Sequence, residues 1–411
     1  MVACALLVLV QAFVVADPAC AQPAPEALAA ESPATGHPPP PEVSLLTVGP
    51  GEIFFERFGH NAIVVRDPAA GRALAYNYGI FDFDQEDFLL NFARGRMLYR
   101  MAVDELADDL AMYRAEGRRI TEQRLALTPT QARALVDFLE WNARPENAQY
   151  RYDYFEANCS TRVRDALDRA LGGALLAQSE GRSRGYTWRL DALRLMAHEP
   201  ALMLLIDLGL GPYADQRIDY WQESFVPDTL ASVVAGARND DAQPLAAAPV
   251  ELARGRVAEA PALPPELRWP FLAVGVGTAM LLRWLAGGGR ARRASLAAFA
   301  LAFEAFCGLG GLLLLFLWFG TEHRAAWRNE NLLLLDPLCL ALLPAWFGLL
   351  RGRAAPRARA RLLAWIVAAV AASALATKIL PGVVQANLHW ILLLLPIHLA
   401  LALALRRPSR A

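Results

Sequence analysis

The chain has 411 residues, of which 55% are hydrophobic and 20% are charged, and its net charge is −1. A soluble domain usually has about 25% charged residues, so this composition argues against an ordinary soluble enzyme. The near-zero charge gives no basis for binding nucleic acid. The apolar excess lies in the second half, because residues 22–265 have a soluble composition and residues 268–405 are mostly apolar. The sequence therefore predicts a soluble part followed by a membrane part.

Residues 1–21 are predicted to be a secretory signal peptide. Their apolar run ends at Ala19-Cys20-Ala21, a small-x-small sequence that is typical of cleavage after Ala21. A lipoprotein signal that uses Cys20 is the alternative, although the residues before Cys20 fit such a signal poorly. Residues 22–42 are rich in proline and alanine and are expected to form a flexible leader.

Residues 43–235 are predicted to form an exported domain of strands and helices, and residues 236–266 to form a linker. Hydrophobic periodicity and turn residues predict strands at 43–48, 62–66 and 73–78, helices near 85–94 and 104–115, and strand-like segments at 97–103 and 118–127. Thr128-Pro129-Thr130-Gln131 is typical of a helix start, and that helix is expected to end near Asn142. A second helix is predicted to begin after Asn158, because apolar residues recur there at helical spacing.

Cys159 is the one cysteine expected to remain in the mature exported part. Cys4 and Cys20 leave with the signal peptide, and Cys307 and Cys339 lie in apolar segments. Cys159 then has no partner for an internal disulfide, and a lone thiol in an exported domain indicates reactivity. A small, buried apolar residue is the alternative interpretation.

The position of Cys159 favours the reactive role. With Asn158 as the helix cap, Cys159 lies in the first turn, where unpaired backbone N–H groups and the helix dipole stabilise an anion. Arg162 and Arg164 add positive charge nearby. We therefore expect a lowered thiol pKa and a nucleophilic thiolate.

A nucleophilic cysteine also needs a base, and His60 is the candidate. Of the other histidines in the predicted exported part, His37 lies in the leader, and His198 lies in a helical region where it is expected at the surface. His60 begins a predicted strand between Gly59 and Asn61, from which its ring is expected to reach the end of a neighbouring helix.

Five apolar segments within residues 267–405 are each long enough to span a bilayer as a helix. They cover residues 268–286, 294–318, 331–350, 361–380 and 388–405. Arginines cluster after the first, third and fifth segments, so the positive-inside rule places these regions and the tail 406–411 in the cytoplasm. The N-terminal domain then lies outside, in agreement with the predicted signal peptide.

One external loop has polar residues at the membrane boundary. It contains Thr321-Glu322-His323-Arg324 and Asn329-Glu330-Asn331. Polar groups are costly at this depth, so His323 and Asn329 are candidates for substrate binding, and a solvated helix cap is the alternative. His389 and His398, in the last segment, are expected to be packing or interface residues.

The order of the short motifs resembles that of known enzymes. Gly59-His60-Asn61 on a strand, followed by Asn158-Cys159 at a helix start, is similar to the circularly permuted NlpC/P60 (papain-like) enzymes. These include lecithin:retinol acyltransferase-like proteins, in which the histidine also precedes the cysteine. More closely, the chain resembles the Lnb family of bacterial lipoprotein N-acyltransferases. The matching motifs are Thr47-Val48-Gly49-Pro50-Gly51, Phe58-Gly59-His60, Tyr76-Asn77-Tyr78-Gly79, Phe81-Asp82-Phe83, Gly117-Arg118, Tyr152-Asp153-Tyr154-Phe155, Asn158-Cys159-Ser160-Thr161-Arg162 and Thr321-Glu322-His323.

The resemblance implies an α+β, circularly permuted papain-like exported domain followed by about five membrane helices, and a thiol acyltransferase activity. An ester-linked acyl chain would move from the glyceryl group of a bacterial lipoprotein to the α-amine of its N-terminal cysteine, which gives a lyso-form lipoprotein. Cys159 would hold the acyl group as a thioester, and His60 would act as the base. Asn77 is the candidate to orient His60, as in papain-like triads. The alternative is that Asn77 only belongs to a turn or to the hydrogen-bond ladder of the sheet.

The resemblance also implies partners and a location. Asn158, Tyr78, Asp82 and Arg118 are candidates for substrate binding, and membrane phospholipid and lipoprotein are the expected substrates. The protein is expected in the bacterial inner membrane with its catalytic domain in the periplasm. No cofactor or metal is predicted, because the sequence shows neither a metal-ligand cluster nor a glycine-rich phosphate loop. A membrane-anchored cysteine hydrolase acting on envelope peptides or peptidoglycan, and a non-catalytic binding module, remain alternatives.

Overall fold

The computed structural model describes residues 39–81, 85, 87–353, 358–380, 382 and 385–406. The predicted signal peptide, residues 22–38 of the predicted leader, Asp82 and residues 407–411 of the predicted tail lie outside the described residues. The strands are β1 (Glu42–Val48), β2 (His60–Asp67), β3 (Arg72–Ile80), β4 (Leu98–Glu105), β5 (Ile120–Arg124), β6 (Gln149–Arg151) and β7 (Val250–Ala253).

The α-helices of the N-terminal domain are α1 (Phe88–Ala93), α2 (Leu106–Ala115), α3 (Pro129–Ala143), α4 (Pro145–Ala148), α5 (Cys159–Ala170), α6 (Ala174–Ser179), α7 (Trp188–Leu195), α8 (Pro200–Gly209), α9 (Tyr220–Glu223) and α10 (Pro227–Gly236). Those of the second half are α11 (Arg268–Ala286), α12 (Arg290–Phe319), α13 (Leu343–Leu350), α14 (Ala358–Thr377) and α15 (Leu388–Arg406). Short 3₁₀ helices occupy Phe54–Phe58, Pro212–Asp215, Arg324–Ala326, Glu330–Leu333 and Pro337–Leu342.

The described strands form one antiparallel sheet in the order β6-β4-β3-β2-β1-β5-β7. The expected alternation of strands and helices up to α5 is therefore confirmed, with small shifts at the ends of elements. The segment 236–266 differs from a simple linker, because it supplies β7, which pairs with β5. Leu252 and Ala253 of β7 pack against the apolar residues of one sheet face, and this burial explains why the segment joins the sheet.

The two faces of the sheet bury separate apolar clusters, because side chains alternate along a strand. One cluster contains Leu45, Ile63 and Tyr76, together with residues of α3, α5 and α10. The other contains Leu46 and Val64, with residues of α2. The helix that begins with Cys159 and the helix α2 therefore cover opposite faces of the same central strands.

Both predicted helix starts are confirmed. The Thr128 hydroxyl accepts the N–H of Gln131, whose side chain in turn accepts the N–H of Thr128. The Asn158 side chain accepts the N–H of Thr161 at 2.9 Å, and α5 begins at Cys159. Such a cap contributes about 1 kcal/mol, and in α5 it holds Cys159 in the first turn.

Among the described residues, four helices are long and apolar enough to cross a bilayer: α11, α12, α14 and α15. The third predicted segment, 331–350, is wrong as a continuous helix, because it consists of 3₁₀ turns followed by α13, with a bend of 44° at the break. Pro337 lacks an N–H and disfavours helical backbone at Asp336, which explains the break. Non-helical backbone at membrane depth is tolerated where protein surrounds it, and Leu334 and Leu335 are fully buried.

This broken segment still runs from one end of the membrane helices to the other. Residues 321–324 follow the C-terminus of α12 and contact the N-terminal domain, since the Glu322 N–H donates to the Arg94 carbonyl. At the opposite end of α12, a Cβ atom on Gly352 would lie 3.3 Å from a guanidinium nitrogen of Arg290. Two of the arginine-rich regions therefore share one end of the helices, as the predicted topology requires.

A buried polar network joins the N-terminal domain to the last membrane helix. Arg189 donates to one carboxylate oxygen of Asp207 at 2.7 Å, and the other oxygen accepts the indole N–H of Trp390 at 2.7 Å. His389 bonds to this second oxygen, so its predicted interface role is confirmed. Because an unpaired buried charge is strongly destabilising, these contacts tie α8 firmly to α15.

Candidate active site

His60, Asn77 and Asp109 form a hydrogen-bonded chain on the α2 side of the sheet. His60 begins β2 and Asn77 lies near the end of β3, and the ring Nε2 is 3.0 Å from the Asn77 Oδ1. The Asn77 amide nitrogen donates to Asp109 of α2 at 2.7 Å and to Asp104 at 3.3 Å. The antiparallel pairing of β2 with β3 brings the histidine and the asparagine together, since Ala62 is opposite Asn77.

The two carboxylates define the direction of the Asn77 amide. An ionised carboxylate only accepts hydrogen bonds, so the amide NH₂ must face Asp109 and Asp104, and the amide oxygen must face His60. That oxygen accepts the Nε2–H of the ring. Neutral His60 then has its proton on Nε2 and a free lone pair on Nδ1, which is the form that accepts a proton.

Cys159 lies at the end of the sheet, next to the strand that begins with His60. The backbone N–H groups of Asn61 and Ser160 interact with the Cys159 sulfur. Gly79 of β3 has a φ of +91°, and a Cβ atom there would lie 3.2 Å from the Cys159 Cβ. Glycine at this position therefore permits both the turn of β3 and the close approach of α5.

Burial keeps both reactive groups neutral, which corrects the expectation of a lowered thiol pKa. Burial raises the pKa of Cys159, and this outweighs the opposing effects of the Asn61 and Ser160 N–H groups and of Arg118. Burial also lowers the pKa of His60 to about 4, against the opposing effect of the hydrogen bond that the ring donates to Asn77. The described residues show no hydrogen bond between the two side chains, so proton transfer between them would require the ring and the thiol to approach each other.

Arg118 supplies the positive charge that acts on both groups. Its side chain is buried, its Nε donates to the Gly49 carbonyl at 3.0 Å, and its guanidinium lies 5.1 Å from the ring centre of Tyr113. The same charge disfavours protonated His60 and favours the thiolate of Cys159. Arg162 and Arg164, which the sequence suggested for this role, contact aromatic rings of Tyr150 and Trp221 instead.

Two other predicted residues have structural contacts. Tyr78 is fully buried, and its hydroxyl donates to the side chain of Asn142 at 2.7 Å. The amide of Asn158 caps α5 with its oxygen and donates to the carbonyls of Tyr154 and Phe225 with its nitrogen. Both residues hold the site in shape, and their predicted substrate-binding role stays a prediction.

The external loop contacts the N-terminal domain. The ring Nε2 of His323 donates to the Phe92 carbonyl at 3.0 Å, and its ring stacks on Tyr154 at 6.0 Å between ring centres. Glu322 pairs with Arg96 at 2.8 Å and also with Arg151. His323 is therefore held at the junction between α1 and the outer end of α12.

Asn329 lies in a buried polar network and is not a solvated cap. Its amide nitrogen donates to the carbonyls of Leu208 and Gly209 at 2.9 and 3.0 Å, and its oxygen accepts from Gln385 at 2.9 Å. These contacts satisfy the C-terminal carbonyls of α8, which lack partners within their own helix. The structure thus connects Asn329 to the packing of α8 against the membrane helices.

A row of aromatic rings, which sequence analysis missed, connects the site to the external loop. The row contains Phe55, Phe81, Tyr99, Tyr152 and Tyr154, with ring centres 4.1 to 6.0 Å apart. Burial raises the pKa of Tyr152 well above its usual value, and its proximity to Cys159 raises that pKa further. The row therefore passes Cys159 and ends at His323.

Sequence analysis also missed Asp109. It lies in an acidic stretch, Asp108-Asp109, that reads as an exposed helix start. Asp109 is nevertheless 6% exposed, and burial raises its pKa. Only the packing of α2 on the sheet distinguishes it from its exposed neighbour.

Two family models match the chain. The model described as the Lnb N-terminal periplasmic domain matches residues 35–198, and the model described as the Lnb transmembrane domain matches residues 270–410. No curated protein and no solved structure matches the chain at a significant level. The two matched regions include both the Cys159 site and the membrane helices.

Proposed function

Because the chain belongs to the Lnb family, with its periplasmic and transmembrane domains, we propose that it is a membrane-bound thiol acyltransferase. It moves an ester-linked acyl chain of a bacterial lipoprotein to the α-amine of the lipoprotein's N-terminal cysteine. The observation that carries this proposal is Cys159 in the first turn of α5, next to the strand that begins with His60 and its Asn77–Asp109 chain.

The reaction begins from a neutral thiol and a neutral imidazole. Nδ1 of His60 takes the thiol proton as the sulfur of Cys159 attacks the ester carbonyl. The carbon–oxygen bond of the ester breaks, the glyceryl oxygen leaves with the proton from His60, and a thioester remains on Cys159. The lipoprotein's amine then attacks the thioester, the amide bond forms, and the released sulfur regains its proton through His60.

Backbone N–H groups and Arg118 stabilise the negative charge that develops in each step. The N–H groups of Asn61 and Ser160 already interact with the sulfur, so they are close to the oxygen of a carbonyl bound there. Fixed donors of this kind are worth several kcal/mol in a site from which water is excluded.

The acyl chain binds along the aromatic row, which supplies apolar surface from Cys159 to the external loop. Apolar side chains at the same edge of the domain are exposed, as a lipid contact requires. These are Ile53, Phe54, Phe55, Leu89 and Leu90. Since α1 contacts the loop at the outer end of α12, this surface lies where acyl chains enter from the outer leaflet.

The topology supports a location in the bacterial inner membrane with the site in the periplasm. The N-terminal domain is at the end of α12 that is opposite to the arginines. For the domain itself we propose a circularly permuted papain-like fold. The antiparallel sheet, with a cysteine-bearing helix packed on β2 and β3, supports it.

The experiment is mass spectrometry of lipoprotein N-termini from cells that lack the protein and express either wild type or a variant. Wild type should give lyso-form lipoproteins with an N-linked acyl chain, and Cys159→Ala and His60→Ala should give none. His198→Ala is the matched control, because His198 is exposed and far from Cys159 in sequence. Wild-type yield from Cys159→Ala would refute the proposal.

The same experiment separates transfer from hydrolysis. A cysteine hydrolase would release free fatty acid or cleave envelope peptides and leave the amine of the lipoprotein unmodified. The exposed apolar surface and the membrane helices favour lipid as the substrate.

A further inference from the structure

A second cluster of reactive side chains lies inside the membrane domain, away from Cys159. One ligand atom each from Glu304, Cys339 and His398 lies within 4.8 Å of the other two. The three residues are 2%, 0% and 3% exposed, so water has no access to them. Cys307 is beside them, with its sulfur 4.0 Å from the Nε2 of His398.

The cluster is deep in the membrane. Glu304 lies halfway along α12, which has 30 residues, so it is roughly 20 Å from either end of that helix. An ionisable side chain at this depth is costly and is expected to have a specific partner. Its neighbours come from three different segments, because Cys339 belongs to the 3₁₀ helix Pro337–Leu342 and His398 belongs to α15.

One oxygen of Glu304 has no such partner among the described residues. Its Oε2 is buried and makes no hydrogen bond to any described residue. A buried polar atom without a partner costs about 1–3 kcal/mol, and more if it is charged. A ligand that is bound at this point would remove that cost.

The geometry points to a zinc site formed by Glu304, Cys339 and His398. Carboxylate, thiolate and imidazole are the usual zinc ligands, and bonds of about 2.0–2.3 Å in a tetrahedron require donor atoms roughly 3.3–3.8 Å apart. The observed separations need to contract by only about 1 Å to reach that range.

Charge balance favours the same assignment. Binding of Zn²⁺ releases one proton from the Cys339 thiol and one from the Glu304 carboxyl group, and neutral His398 adds no charge. The complex of the metal with these three ligands is then uncharged, which suits a low-dielectric interior better than any charged group alone.

The site would join three segments that local structure does not hold together. The segment with Cys339 is the broken one, in which Pro337 interrupts the helix. A metal ion bound to α12 and α15 as well would hold this segment in place across the membrane. This inference concerns the membrane domain and is independent of the chemistry at Cys159.

The test is the zinc content of the full-length protein, purified in detergent and treated with a mild chelator that removes loosely bound metal. Wild type should retain about one equivalent of zinc per chain. Glu304→Gln, Cys339→Ser and His398→Gln should each retain at least about fivefold less. Cys159→Ser is the matched control and should retain the wild-type amount. Wild-type protein without zinc, or variants with undiminished zinc, would overturn the assignment.

A second measurement does not depend on the folding of the variants. In Cys159→Ser protein loaded with Co²⁺ in place of zinc, the Cys339 thiolate should give a thiolate-to-cobalt charge-transfer absorption. Added Zn²⁺ should displace the cobalt and abolish this absorption. Cobalt-treated protein without the absorption would show that Glu304, Cys339 and His398 only pack against one another.

Discussion

His60 has the amide of Asn77 on one side and the guanidinium of Arg118 nearby, and burial dominates its proton affinity. Cys159 responds in the opposite direction, because burial disfavours its anion and raises its pKa. Burial therefore favours the uncharged forms of both side chains. A neutral pair has no thiolate in the resting state, so in the proposed mechanism Cys159 becomes a nucleophile only when its proton passes to His60.

The low pKa of His60 predicts that activity persists to an unusually low pH. His60 must be neutral to accept the thiol proton, and with a pKa of about 4 it is neutral at every pH well above that value. We expect kcat/KM for an ester substrate to stay level as the pH falls from 8 to about 5 and to decline near pH 4. A decline centred near 6.5, the ordinary pKa of histidine, would contradict this assignment. His198→Ala should leave the profile unchanged.

The Asn77 amide should matter for turnover more than for folding. Asn77→Ala leaves the His60 ring free to rotate and to change tautomer, so we expect kcat/KM to fall by about 10–100-fold. Ser179→Ala is the control, because it removes one buried hydrogen bond, to the Leu175 carbonyl, outside the candidate site residues and should cost about 1 kcal/mol of stability with little change in turnover. Steady-state rates at matched protein level measure both effects. Undiminished turnover in Asn77→Ala would limit Asn77 to a role in the sheet.

At the scale of elements, helix ends determine how the two halves of the molecule meet. The C-terminal carbonyls of α8 have no partners within their own helix, and the side chains of Asn329, Asn331 and Gln385 supply the missing hydrogen bonds. These amides thus stabilise the end of the helix that packs against the membrane helices.

Asn329→Ala should therefore destabilise the protein. The substitution removes the side-chain partner of the buried Gly209 carbonyl and one of the two side-chain partners of the Leu208 carbonyl and of the Gln385 amide. We expect a loss of about 1–3 kcal/mol, measured by thermal unfolding in detergent. Asn147→Ala is the control, since it removes a single exposed hydrogen bond and should cost less than about 1 kcal/mol. If Asn329→Ala had wild-type stability but no activity, this structural role would be contradicted, and the predicted role of Asn329 in substrate binding would be supported.

For the whole molecule, the two ends of α12 define the sides of the membrane. The N-terminal domain contacts the end near Glu322, and Arg290 and Gly352 meet at the other end. Ion pairs and the buried Asp207 network hold the N-terminal domain against the membrane helices. In the proposed function, this fixed position would orient a lipid ester relative to Cys159.

The topology can be tested with a reporter that fluoresces only in the cytoplasm. A fusion after Arg410 should fluoresce, because the arginine-rich end of the helices faces the cytoplasm. A fusion after residue 265, in front of α11, should remain dark. The reverse pattern would show that the predicted orientation in the membrane is wrong and that the site does not lie in the periplasm.

Local interactions made several features predictable from sequence alone. The caps at Thr128 and Asn158 act within three residues of their partners, so the helix starts and the position of Cys159 follow from the sequence. Apolar run length and arginine bias likewise predict the membrane region and its orientation. These signals do not depend on which segments later pack together.

Only the tertiary structure decided the environment of the reactive residues. The bonds of Asn77 to His60 and Asp109 depend on strand register and on the packing of α2, which join residues 17 and 32 positions apart. The sign of the thiol's pKa shift was missed for the same reason, because the helix dipole is a local effect and burial is set by the whole fold. The place of β7 in the sheet and the Glu304 cluster also come from distant segments that pack together, and no spacing in the sequence encodes those contacts.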